Sequence, residues 1–179
     1  MRVWDAPLRV CHWMLALSVV AAWLSANIYD SLHEAAGYLA MSAVAFRIVW
    51  GLAGTTHARF RNFVRPPGVV LRYLRDLAHR RAARYLGHNP AGAAMTLVLL
   101  VMVAVSTISG WMQLTYMFFG VTWVEVLHTW SSNLVLALAL LHVSGVLVMS
   151  VMQKENLVRA MVTGRKAASE HRENTQPSR

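Results

Sequence analysis

Charge is what this sequence has least of. Asp, Glu, Lys and Arg make up 14% of its 179 residues, against about 25% in an average soluble domain. So little charge cannot cover the surface of a soluble domain of this length, and that class is excluded. Acidic residues are scarcer still, at eight against seventeen Lys and Arg. Cysteine occurs once, as Cys11, so no disulfide can form within the chain. Internal repeats and low-complexity segments are also missing.

What fills the chain is apolar, at 56% of residues, and it is uninterrupted in four places. No charged residue lies between Arg9 and Asp30, and between Glu34 and Arg59 the only one is Arg47. The stretches from Arg84 to Glu125 and from Glu125 to Lys154 carry none between their ends. A membrane helix needs about 20 mostly apolar residues. The expected fold class is therefore an all-α membrane protein, a bundle of four transmembrane helices over residues 8–28, 31–54, 90–113 and 125–152. Residues 1–166 are read as one domain, and the small, polar, charged stretch 167–179 as a disordered cytoplasmic tail.

The basic residues fix an orientation. Sixteen of the seventeen lie in the N-terminal tail, the connection between the second and third spans, or the C-terminal tail; the other two connections carry none. This asymmetry predicts that both termini and the long connection face the cytoplasm of a bacterial inner membrane. It also accounts for the net charge of +9 without a nucleic-acid partner. The first span is too long for a signal-peptide core and no A-x-A site follows it, so it is read as a retained helix. Asp5 with Pro7, and Asn89 with Pro90, supply helix start signals. In the long connection Val70, Leu74, Leu77 and Ala78 recur at helical spacing among arginines, which predicts a short basic amphipathic helix on the inner leaflet, with a solvated loop as the alternative. The Trp- and Phe-rich residues 116–126 suit a membrane interface.

Ionisable groups inside a bilayer are costly, and each needs a reason. Four of the eight histidines fall in or at the ends of the spans. With the orientation above, His33 and His128 sit near the outer ends of the second and fourth helices, and His12 lies about one turn from the inner end of the first. His142 follows His128 by 14 residues, about 3.9 turns and about 21 Å, so the two share a face. Two pairs result, His33 with His128 and His12 with His142, although His142 comes level with His12 only if the fourth helix extends or tilts. Arg47 lies 14 residues beyond His33, at the depth of the inner pair, and a buried cation there calls for an anion. Zinc wants four ligands and each layer offers two, whereas a haem iron takes two axial ligands across a flat ring and its propionates would answer Arg47. Gly37 and Gly145 remove bulk near the histidines. A proton relay or transporter path, and simple structural histidines, are the other readings of the same four residues. No C-x-x-C-H motif occurs, so a haem here would not be covalently attached.

The segments VWDAPLRVCHW, LHEAAGYL with FRIVWG, GHNPAG, HTWSSNLVLALALLH and ENLVRAMVTGRK, with the H-x13-H spacing of the fourth helix, resemble the bacterial cytochrome b561 family, which includes the cytochrome b subunits of nickel–iron hydrogenases. The likeness covers about residues 3–166. It implies two haems b, each with two axial histidines, in a four-helix bundle; His12, His33, His128 and His142 match the family's ligand positions, and Arg47 matches an arginine inside its second helix. The expected function is then electron transfer across the inner membrane between the quinone pool and a periplasmic partner, either a c-type cytochrome or an oxidoreductase such as a hydrogenase. A self-contained oxidoreductase passing electrons from superoxide to quinone, and a redox-silent anchor or transporter, are the alternatives. His88 and Asn89 are candidates to line a quinone or propionate site, although capping alone explains Asn89. The Trp and Met residues read as interface anchors and packing, and Cys11 as a small apolar residue.

Overall fold

A computed structural model describes residues 3–56, 58–79, 81, 85, 87 and 89–166, all helical or connecting. Among the described residues seven helices follow one another: α1 (Ala6–Ser25), α2 (Asp30–Ala53), α3 (Phe60–Phe63), α4 (Pro67–Ala78), α5 (Pro90–Gln113), α6 (Thr122–Met152) and α7 (Leu157–Thr163). Four of them, α1, α2, α5 and α6, are long and apolar enough to cross a membrane. The expected tail at 167–179 lies outside the described residues, as do His57, Arg80, Arg84 and His88.

The start signals work as the side chains require. Asp5 accepts the Leu8 N–H at 2.8 Å, and Asn89 accepts the Gly92 N–H at 2.7 Å, each relieving one of the unpaired amides at a helix N-terminus. The first span stops at Ser25 rather than Ile28, because the Ile28 and Tyr29 amides both turn back onto the Ser25 carbonyl. The fourth begins at Thr122, which puts Glu125 inside its first turn, where an acidic side chain complements the helix dipole. At 31 residues it is about 46 Å long, well beyond the hydrocarbon thickness of about 30 Å.

Two helical hairpins make the bundle: α1 packs along α2, α5 packs along α6, and the hairpins meet through α2 and α5. Small residues form the seams. Cys11, Ser18 and Ser25 of α1 are buried, as are Ala36, Ala40, Ala43 and Gly51 of α2, and side chains this short let helix backbones approach closely in a membrane. Ala40, Val44, Leu100, Val103 and Val135 form the central cluster. Large apolar side chains such as Leu17, Leu141 and Trp130 point outward, since lipid rather than water is their solvent. In contrast to the α5–α6 seam, α6 makes no comparable close seam with α1 or α2.

One end of the bundle holds both described ends of the chain and is called the terminal end below. There the Val3 and Trp4 amides both donate to the Gly164 carbonyl, at 2.9 and 3.2 Å. Gly164 closes α7 at φ +75°, which favours glycine, and a Cβ there would stand 2.7 Å from the Trp4 carbonyl oxygen. Asp5 ties this clasp to α2: its carboxylate accepts from Thr55 Oγ1 at 2.5 Å and Trp50 Nε1 at 3.1 Å. Burial pushes the Asp5 carboxyl up, but the bonds from Thr55, Leu8 and Trp50 and the charge of Arg47 outweigh it and hold it below its ordinary value.

The amphipathic helix in the long connection is α4, and the side it turns to the protein centres on Tyr73. Tyr73 is buried, Val70 and Leu77 are half-buried, and Leu74 and Ala78 are exposed. Two contacts hold that side: α4 lies against α5, and the Tyr73 ring packs on Tyr85 at 5.7 Å.

Candidate functional site

The four helical histidines come together as two pairs. The His12 and His142 ring centroids are 6.3 Å apart at an interplanar angle of 60°; those of His33 and His128 are 6.0 Å apart at 87°. His12 and His142 form the pair nearer the terminal end, and the extra length of α6 is what brings His142 level with His12. Each pair reaches across the loosely packed gap between α6 and the α1–α2 hairpin.

Hydrogen bonds hold the distal pair. His33 donates from Nδ1 to the Ala22 carbonyl of α1 at 2.8 Å, and His128 donates from Nδ1 to the Ser106 carbonyl of α5 at 2.9 Å. A carbonyl only accepts, so in both rings Nδ1 carries the proton and Nε2 keeps a free lone pair. Metal-binding histidines commonly use their second nitrogen in this way.

The separations fit two rings sharing one metal atom. A metal–imidazole bond is about 2.0–2.1 Å, and with about 1.1 Å from each ring centre to its nitrogen the centroids would stand roughly 6.3 Å apart. Among the described residues no three His, Cys, Asp or Glu converge as a metal cage; the donors come in twos, as a planar macrocycle that fills the remaining positions requires. Open space borders the gap on both sides, since a Cβ at Gly37 or at Gly145 would meet nothing within 4 Å.

Arg47 lies on α2 near the terminal end and is 5% exposed. Its guanidinium stands 4.7 Å over the Phe60 ring and 5.9 Å from that of Phe63, a cation–π arrangement. Neither terminal nitrogen has a hydrogen-bond partner. A buried cation with free donors is costly unless an anion meets it, and the nearby Asp5 carboxylate is already engaged by Leu8, Trp50 and Thr55. A propionate of a bound haem is an anion of the right kind. Cys11, buried beside this region, donates its thiol to the Ala43 carbonyl at 3.3 Å and acts as a small seam residue. Asn89, expected as a possible lining residue, spends its side chain on capping α5.

Sequence reasoning did not identify the groups that support these residues. Phe60 covers Arg47 only because Gly51 makes room: a Cβ at Gly51 would fall 2.0 Å from Phe60 Cε2. Gly51→Ala is expected to destabilise the protein by about 1–3 kcal/mol, the usual range for forced overpacking, as a lowered thermal midpoint in detergent. The ring of His128 rests on Ser106, Ser109 and Gly110 of α5. The one sequence signal for that contact was a polar run, Ser106-Thr107-Ile108-Ser109-Gly110, inside an otherwise apolar span.

The family model described as prokaryotic cytochrome b561 matches residues 3–164. The chain is similar to the probable Ni/Fe-hydrogenase B-type cytochrome subunit of Rhodobacter capsulatus, 24% identical over 95% of this chain and 82% of that protein. It is also similar to the protein of the same name from Bradyrhizobium diazoefficiens, 21% identical over 90% of this chain and 84% of that one. The Azotobacter vinelandii protein of that name is 26% identical over 58% of this chain and 54% of its own length. No solved structure matches the chain significantly.

Proposed function

The chain belongs to the prokaryotic cytochrome b561 family, a membrane b-type cytochrome in electron transfer, and on that premise we propose that it holds two haems b and carries electrons between a periplasmic hydrogenase and the quinone pool of a bacterial inner membrane. The observation that carries the reading is the stacking of two histidine pairs, 6.3 and 6.0 Å between ring centres, about 21 Å apart along α6. His12 and His142 would hold the haem near the terminal end, and His33 and His128 the distal one. The names of the relatives favour a hydrogenase over a c-type cytochrome as the partner. The sorting of basic residues supports a cytoplasmic terminal end.

Bound there, haem supplies one-electron redox chemistry, and the protein's residues decide what that chemistry is used for. Two histidines per site leave no open coordination position, which favours electron transfer over oxygen binding. The Ala22 and Ser106 carbonyls hold the distal rings in the tautomer that presents Nε2. Arg47 would anchor a propionate near the terminal end. The apolar faces of α1, α2, α5 and α6 exclude water from both layers.

The test is the pigment of the full chain, produced with ample haem and purified in detergent. Two non-covalent haems b per chain, released by acid-acetone and identified by the pyridine haemochrome spectrum, are expected. A folded chain that binds none would overturn the reading, and a stoichiometry of one would overturn its diheme form.

A further inference from the structure

Helix α5 supplies none of the four histidines, yet it makes the closest contacts to one of them. The His128 imidazole lies directly over the Gly110 backbone: a Cβ at that position would stand 2.9 Å from Cε1 and 3.1 Å from Nδ1 of the ring. Real Cβ atoms almost never come that close, so any side chain there must displace the ring. One turn back, the Ser106 carbonyl accepts the His128 Nδ1 proton at 2.9 Å and the Ser109 hydroxyl at 3.0 Å. Ser109, 1% exposed, brings its oxygen to 3.5 Å from the same ring nitrogen.

The two helices are also pinned to each other at this level. Ser106 Oγ and Ser132 Oγ, on facing turns of α5 and α6, share a hydrogen bond of 2.8 Å. Ser131 donates to the His128 carbonyl at 3.1 Å. Sliding α5 along α6 would therefore break the serine pair and the histidine bond together. The opposing ring, His33, is tied to Ala22 of α1, so the two rings of the distal pair are fixed from opposite hairpins, 87° apart.

We propose that Ser106, Gly110 and Ser132 are positioning residues that form a seat for the His128 ring, and that this seat sets the ligand angle and the reduction potential of the distal haem. The inference rests on the diheme reading above. A carbonyl acceptor at Nδ1 makes the imidazole a stronger electron donor to a metal at Nε2. The angle between two axial imidazoles governs how the iron d orbitals split, and hence the shape of the ferric low-spin resonance. Loosening the seat changes both quantities at one haem and neither at the other.

The experiment uses the full haem-loaded chain in detergent, with electron paramagnetic resonance of the ferric protein and a potentiometric titration. The distal signal is assigned as the one lost in His33→Ala. Gly110→Ala is expected to alter that signal and to shift the distal reduction equilibrium about three- to tenfold, roughly 30–60 mV for one electron, with the other haem unmoved. Ser132→Ala, which adds no bulk, is expected to shift it in smaller measure, so the seat can be read even if Gly110→Ala loses the distal haem. Thr107→Ala, whose hydroxyl bonds only within α5, is expected to leave both haems at their wild-type values. Two haems bound with the distal signal and potential unchanged in both Gly110→Ala and Ser132→Ala would overturn the seat and leave the diheme reading standing. A wild-type chain without haem would overturn both.

Discussion

His12→Ala and His142→Ala are each expected to remove one of the two proposed haems, and the same one; His33→Ala and His128→Ala are each expected to remove the other. In every single variant the pigment per chain halves, and the double variant His12→Ala/His142→Ala retains one haem, as either single variant does. A cross-combination such as His12→Ala/His33→Ala is colourless. The reason is geometric: each pair meets across one gap at about 6 Å between ring centres, while the two pairs are separated by 14 residues of α6, about 21 Å. The check is haem content of each variant with the surviving haem's spectrum compared among them. Variants that sort as His12 with His33, or four variants that each lose both haems while remaining folded, would break the pairing.

Arg47→Leu is expected to have the second large effect. Arg47 is the one Lys or Arg in the middle of a described span, Arg9 lying in the opening turn of α1, and both terminal nitrogens of its buried guanidinium lack partners. A hydrogen bond to a charged group contributes about 1.5–3 kcal/mol, so losing one to a propionate weakens binding of the haem near the terminal end roughly 10- to 100-fold. The distal haem keeps its affinity and spectrum. Leucine fills the same space between Phe60 and Phe63 without a charge, so the fold survives and the loss reads on haem alone. Titrating the apoprotein with haem resolves the two sites; equal affinities in wild type and Arg47→Leu would remove Arg47 from the site.

Much of this was legible because a membrane sorts residues by rules that depend on type and interval alone. Charge-poor stretches marked the four long helices, and Asp5 and Asn89 marked two of their starts. The 14-residue interval put His128 and His142 on one face whatever the packing. Contacts that depend on two backbones coming unusually close were not legible. Gly51 looked like any membrane glycine, yet it is where the Phe60 ring seats, and that ring covers Arg47. Gly110 was not singled out while Gly37 and Gly145 were, because spacing from a histidine in the same helix says nothing about a histidine in the next one. The burial of Tyr73 on α4 was not legible for the same reason: it depends on Tyr85 and α5.

The clasp between Val3, Trp4 and Gly164 bears on how the protein is made. The Val3 and Trp4 amides are fastened by a carbonyl some 160 residues further along the chain, so the terminal end of the bundle cannot seal before Gly164 has been made. The distal histidines, at 33 and 128, need only α1, α2, α5 and the start of α6. The two layers therefore call on different lengths of chain: the distal pair is available once residue 128 is made, the near pair only after residue 142, and its clasp only after residue 164.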